Sequence, residues 1–169
     1  LREGMGEIEA AARHALPELV EFPDYRGVLH CHSTWSDGKD SIRDLALAAR
    51  DQWGWEYIAI CDHSEVAAYA GGVRRADLAR QHAEIDELNE ELARSGDRPF
   101  RILKGCECDI MPDGSLDYPD EYLARMDVVV ASVHSRFQMS KDEMTARLLK
   151  ALEHPYTTIL GHVSGRILL

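Results

Sequence analysis

No apolar run in this sequence approaches the roughly 20 residues needed to cross a bilayer, and no stretch shows the basic, apolar, small-residue order of a secretory signal. A membrane partner is therefore not expected. Disulfide scaffolding is missing too. The four cysteines, Cys31, Cys61, Cys106 and Cys108, lie inside apolar strand-like segments and not at loop spacings, so a reduced, cytoplasmic protein is expected. Basic charge is also scarce: 19 Lys and Arg face 30 Asp and Glu, a formal charge of −11. This argues against holding nucleic acid through the general surface, which needs clustered Lys and Arg. Bound divalent cations would reverse the sign locally, so an acidic domain can still attract a phosphate at a metal site.

What is present is ordinary for one globular domain with a real core: 169 residues, 45% apolar and 29% charged. The chain is organised around Arg26 to Gly38, RGVLHCHSTWSDG. Gly27 to His32 reads as a strand running into a polar turn. Side chains alternate along a strand, so His30 and His32 share one side and Cys31 faces the other. Asp37 follows on a turn able to fold back over them. Imidazole with carboxylate is a donor mixture suited to zinc, manganese or iron.

Residues 1–25 read as a lead-in, with a short helical pattern at Glu7 to His14 and a connector containing Pro17 and Pro23. After the first strand, Ser41 and Asp44 open a helix whose apolar stripe ends at Gly54. Glu56 to Cys61 is a second strand, and Ser64 to Val73 reads as a mobile loop. Leu78, His82, Ile85, Leu88 and Leu92 define a long helix that takes His82 into its packed stripe. Arg101 to Ile110 is the third strand, Pro119 opens a short helix, and Asp127 to Ser132 is a strand buried on both faces. Ser140 and Glu143 form a capping box, and Thr157 to Gly161 is the last strand-like run.

Strand and helix thus alternate about five times, which predicts a parallel α/β sheet. Polar residues end every strand: His30 and His32, Asp62 and His63, Glu107, His134, and His162. That edge is where barrel and open-sheet α/β proteins place chemistry. Each residue alone has a plainer reading as a satisfied hydrogen-bonding side chain. Glu107, however, sits in an apolar strand, where an unpaired carboxylate would cost several kcal/mol. His14, His82 and His154 fall on helices or boundaries, outside the pattern. Cys31, Cys106 and Cys108 are opposite in parity to their neighbours and read as packing against helices. Lys104 also faces away, which counts against a bridging lysine carbamate.

Taken together, His30-Cys31-His32 with Trp35-Ser36-Asp37-Gly38, Cys61-Asp62-His63-Ser64, Lys104-Gly105-Cys106-Glu107, Ala131 to Ser135 and Gly161-His162 resemble the polymerase and histidinol phosphatase (PHP) domain. The nearest likeness is to the form attached to bacterial and archaeal family X DNA polymerases. Leu1 to Gly4, Asp109 to Asp120 and Met144-Thr145 carry that closer resemblance. Gly161-His162-Val163-Ser164-Gly165-Arg166 departs from the family's usual Gly-His-Pro-Thr-Gly-Arg.

The resemblance implies a distorted seven-stranded (β/α) barrel, of TIM-like type, here truncated after about five β/α units. It implies a PHP domain over 26–169, incomplete at its carboxyl end, with residues 1–25 leading in from a polymerase domain. It implies two or three divalent ions, Zn2+, Mn2+ or Fe2+. His30, His32 and Glu107 would hold one; Glu107, His134 and His162 a second; Asp37 and His63 a third. The implied activity is a metal-dependent phosphoesterase, a 3′-5′ exonuclease on DNA 3′ ends, with Glu107 and His134 at the reacting centre. Arg166 would neutralise phosphate oxygens, or stand as a plain surface arginine. Two alternatives remain at this level: a histidinol-phosphatase-type phosphomonoesterase, and a non-catalytic module that stabilises a polymerase.

Overall fold

The computed structural model describes residues 4–95 and 98–163. Five strands, β1 (Gly27–Cys31), β2 (Tyr57–Ile60), β3 (Arg101–Asp109), β4 (Val128–Ser132) and β5 (Ile159–Leu160), form one sheet in sequential order, each neighbouring pair parallel. Parallel connections are right-handed, and an order that never reverses puts every crossover on the same face. The sheet therefore curls into the arc of an α/β barrel with helices outside, as the alternation predicted. The helices are α1 (Glu7–Ala12), α2 (Ile42–Leu47, continued by a wider π-type turn at Ala48–Gln52), α3 (Arg75–Ser95), α4 (Asp120–Leu123) and α5 (Lys141–Leu152). None among the described residues is long and apolar enough to cross a membrane.

Two apolar layers lie between sheet and helices. Ile42, Ala46, Ile58, Ile60, Ile85, Leu88 and Ile102 join α2 and α3 to the sheet. Cys106, Cys108, Val129, Ala131, Leu123 and Ala151 join α4 and α5 to it. The alternate residues, Ala59, Cys61, Val128 and Val130, face the concave interior. Gly105 shares this inner face for want of room: a Cβ there would lie 2.6 Å from Cys61 Sγ and 3.0 Å from the Ile60 and Val128 carbonyl oxygens. Lys104 points outward to Asp86 on α3 at 2.7 Å, as its parity predicted.

Local structure departs from simple reading in two places. Between Val28 and Cys31 the register with β2 shifts by one residue, a bulge that re-aims the strand just where His30 sits. The stretch Ser64 to Val73, expected to be a mobile loop, is instead a packed turn. Ala67, Ala70 and Val73 are buried, Ser64 pairs with Val73, and the Tyr118 hydroxyl donates to the Val73 carbonyl. Gly71, at φ 64°, supplies the left-handed residue that lets the chain turn so tightly. By contrast residues 4–26 contain no buried side chain.

Candidate metal centre

Glu107 projects from the inner face of β3 and is 1% exposed. Five imidazoles surround its carboxylate. His30 Nε2, His32 Nε2 and His63 Nδ1 each lie 3.3 Å from Oε2. His134 Nε2 and His162 Nε2 each lie 3.2 Å from Oε1. Asp37 closes the group from its turn, with Oδ1 3.0 Å from His32 Nδ1 and Oδ2 3.6 Å from His63 Nε2. All seven residues anticipated as ligands are thus brought to the carboxyl edge of the sheet. Arg166 lies outside the described residues.

Each arrives by its own route. His63 and His134 continue the inward parity of Ala59-Cys61 and Val128-Val130. His162 does not: Leu160 packs in the outer layer, so alternation alone would send His162 outward. A left-handed backbone at His162, φ 48°, swings the ring back to Glu107. Asp62, which sequence reasoning grouped with the strand-end cluster, serves a different purpose. Its carboxylate accepts hydrogen bonds from the Ser33 amide and hydroxyl, Ser36 Oγ and Gln81 Nε2, and so pins the turn that carries Asp37.

Asp109 was missed. It lies two residues after Glu107 on the same face, and its Oδ1 is 2.8 Å from His134 Nδ1. The Glu-x-Asp spacing on a strand was the available signal.

Electrostatics follow from this crowding. Burial alone would raise the Glu107 carboxyl, but the imidazoles of His134, His30 and His32 crowded against it hold it well below the usual carboxylate range. The Asp109 hydrogen bond, reinforced by Glu107, pushes His134 up to about 9. Burial lowers His63, while the neighbouring Glu107 carboxylate raises His32.

Donor chemistry can be tested against a bound cation. His32 Nδ1, His63 Nδ1 and Glu107 Oε1 are buried yet make no well-aligned hydrogen bond, although each has a donor or acceptor within about 3.3 Å. Lone pairs converging without aligned protons are what an ion between them would satisfy. Three groups have their donor atoms mutually within 4.8 Å: His30, His32 and Glu107; His32, Asp37 and His63; and His63, Glu107 and His134. The first matches the anticipated grouping. In the other two the expected partition shifts, because His32 and His63 each face two neighbours. Imidazole and carboxylate together fit zinc, manganese or iron. Around the centre is a cavity of about 790 Å3, lined also by Tyr69, Phe137, Met144 and Leu148; no Lys or Arg lines it among the described residues.

Comparison with known proteins accords with this geometry. The chain is 44% identical over 168 residues, 99% of its length, to "DNA polymerase/3'-5' exonuclease PolX" of Bacillus subtilis. It is 42% identical over 70 residues, 39% of its length, to "Probable phosphatase TTE1963" of Caldanaerobacter subterraneus subsp. tengcongensis. In each case it spans only 28% of the relative's length. The crystal structure of the "putative histidinol phosphatase hisK from Listeria monocytogenes" superposes with a TM-score of 0.54 at 17% identity, covering 69% of this chain and 51% of the other, and so shares the fold. The family profile of the PHP domain matches residues 29–167, a span that takes in every histidine gathered on Glu107. This chain belongs to the PHP domain family.

Proposed function

We propose that this chain is the phosphoesterase module of a longer DNA-processing protein, trimming DNA 3′ ends by metal-assisted hydrolysis. The single observation that carries the reading is the convergence of five imidazoles on one buried carboxylate, with Asp37 beside them. The likeness over the whole chain to a polymerase with 3′-5′ exonuclease in its name directs it toward DNA. Residues 1–25 would then connect to a polymerase domain, and 26–169 would form the hydrolytic module.

Two or three divalent ions, when bound, would supply Lewis acidity and lower the pKa of water from about 15.7 toward about 7. The chain's own groups set the stage for that chemistry. Glu107, ionised throughout the working pH range, presents an oxygen to each side of the cluster and would bridge two ions. His134, its ring fixed through Nδ1 by Asp109, presents Nε2 inward. Asp37, half exposed at the mouth, would hold an ion where substrate enters. No lysine or arginine lines the pocket among the described residues, so there the cations would meet the phosphoryl charge, with Arg166, outside the described residues, proposed to assist.

The test is release of nucleotides from a 3′-labelled oligonucleotide, before and after chelation, with Glu107→Gln and His134→Ala alongside. Metal-dependent release that falls by at least about 10^3 in E107Q supports the reading. Stoichiometric metal with no release from DNA, and no effect of either substitution, would refute it. A second reading has its own observations: the phosphatase-named relative and the fold shared with hisK. On that reading histidinol phosphate would be turned over faster than DNA ends, and direct comparison of the two rates separates them.

A further inference from the structure

The pocket beside Glu107 is lined by apolar residues as well as by the histidine cluster. Beside the histidines the lining includes Val133, Met144, Leu148 and Leu160, three of which pack on the same apolar layer and all of which offer nothing to a phosphoryl group or a sugar hydroxyl. Two aromatic rings stand at the mouth, Tyr69 and Phe137, each 70% exposed. The Tyr69 ring lies edge-on to His63 and His134, with centroids 5.9 and 6.1 Å away.

Phe137 is displayed at a cost. Arg136 before it has φ 57°, in the left-handed region that residues with a side chain seldom adopt. The turn is held from beneath by Arg147 of α5, 2% exposed, which donates to the Ser135 and Met111 carbonyls at 2.9 Å each. A large apolar ring pushed into water on an anchored, strained backbone is the arrangement expected of a ring that a ligand covers. Phe137 is also a ridge. On its other side Arg136, Gln138 and Met139 line a second hollow of about 450 Å3. The exposed Arg136 guanidinium has no ion pair or side-chain hydrogen bond among the described residues.

We propose that Phe137 is a stacking wedge for nucleic acid. The terminal base of a single strand enters the pocket between Phe137 and Tyr69, its phosphate faces the histidine cluster, and the next phosphate meets Arg136 in the outer hollow. This rests on the phosphoesterase reading and narrows its substrate to a polymer. A small phosphomonoester has no use for the outer hollow, whereas a strand must continue past Phe137. Stacking on a ring tolerates any base, so the wedge confers length recognition without sequence preference.

The test uses a single-stranded oligonucleotide with 2-aminopurine at its 3′ end and a terminal phosphorothioate linkage to slow cleavage. It is titrated in Ca2+ with wild type, Phe137→Ala, Phe137→Tyr and Arg136→Gln. Expected are quenching of 2-aminopurine by wild type, about tenfold weaker binding with a smaller quench at saturation in F137A, where only Tyr69 remains against the base, and recovery of both in F137Y. R136Q should keep the quench at saturation and reduce the salt dependence of binding by about one phosphate contact. Inorganic phosphate should bind F137A within about twofold of wild type, since stacking adds nothing to a bare anion. Equal affinity and quench in F137A, or a parallel loss of phosphate affinity, would overturn the wedge. Cleavage of an unmodified oligonucleotide is scored separately: cleavage without a quench refutes the wedge alone, and a quench without cleavage refutes the phosphoesterase reading alone.

Discussion

Asp109 Oδ1 lies 2.8 Å from His134 Nδ1, on the side of the ring away from Nε2, which faces Glu107 Oε1 at 3.2 Å. Two carboxylates two residues apart on β3 thus grip one imidazole from both ends. The outer carboxylate fixes tautomer and orientation, and the inner shares the space where an ion would sit. Asp109→Asn should lower affinity for Zn2+ or Mn2+ about 10–100-fold, read by calorimetric titration.

The same pair predicts a pH dependence. In chelated protein His134 is raised from about 6.5 in the unfolded chain to about 9 in the folded one, first by Asp109 and then by Glu107. A folded pKa above the unfolded value stabilises fully below about 6.5 and ceases to do so as pH rises through about 9. The thermal midpoint of chelated wild type should therefore fall across that window. In D109N the slope should flatten.

Adding cation should reverse the loss. A ligand at about 100 times its Kd stabilises by about 2.7 kcal/mol, or about 5–10 °C for a chain of this size. Differential scanning fluorimetry with Mn2+ or Zn2+ should show that rise in wild type and a much smaller one in His134→Ala.

Asp62 carries a structural prediction distinct from the metal ligands. It is 2% exposed and accepts hydrogen bonds from Ser33, Ser36 and Gln81. Asp62→Ala leaves those donors buried without acceptors and should cost about 3–5 kcal/mol in urea unfolding. Because the same bonds hold the turn bearing Asp37, bound-metal stoichiometry should fall as well.

Gly105→Ala should destabilise by about 1–3 kcal/mol, since its Cβ would meet Cys61 Sγ at 2.6 Å. Adding Cys61→Ala should recover part of that loss and not all, because the Ile60 and Val128 carbonyls remain 3.0 Å away. A double-mutant cycle measures the coupling.

Much of the centre was readable because a strand imposes period two and a parallel sheet collects its chemistry at one edge. That logic found His30, His32, His63, Glu107 and His134 without coordinates. It also placed His162 at that edge, but alternation does not give the route by which the ring arrives, because there the backbone leaves the regular strand. His162 would point outward by parity and is turned inward by a left-handed residue. The β1 bulge has no sequence mark, since Val28, Leu29 and His30 are all acceptable strand residues. Asp62 looked like its neighbours, and only the positions of Ser33 and Gln81 reveal its different task. Phe137 and Tyr69 sit in connecting segments whose paths periodicity does not determine.

Each of the five parallel strands sends a donor to the rim, an imidazole from four of them and the Glu107 carboxylate from β3, spanning from His30 at one border of the sheet to His162 at the other. A cation held there would work as a rivet across the whole arc, because sliding any single strand by one position removes a donor. Ion retention would accordingly report the alignment of the complete sheet, and local opening at β5, the two-residue outermost strand, would be the first event to release it.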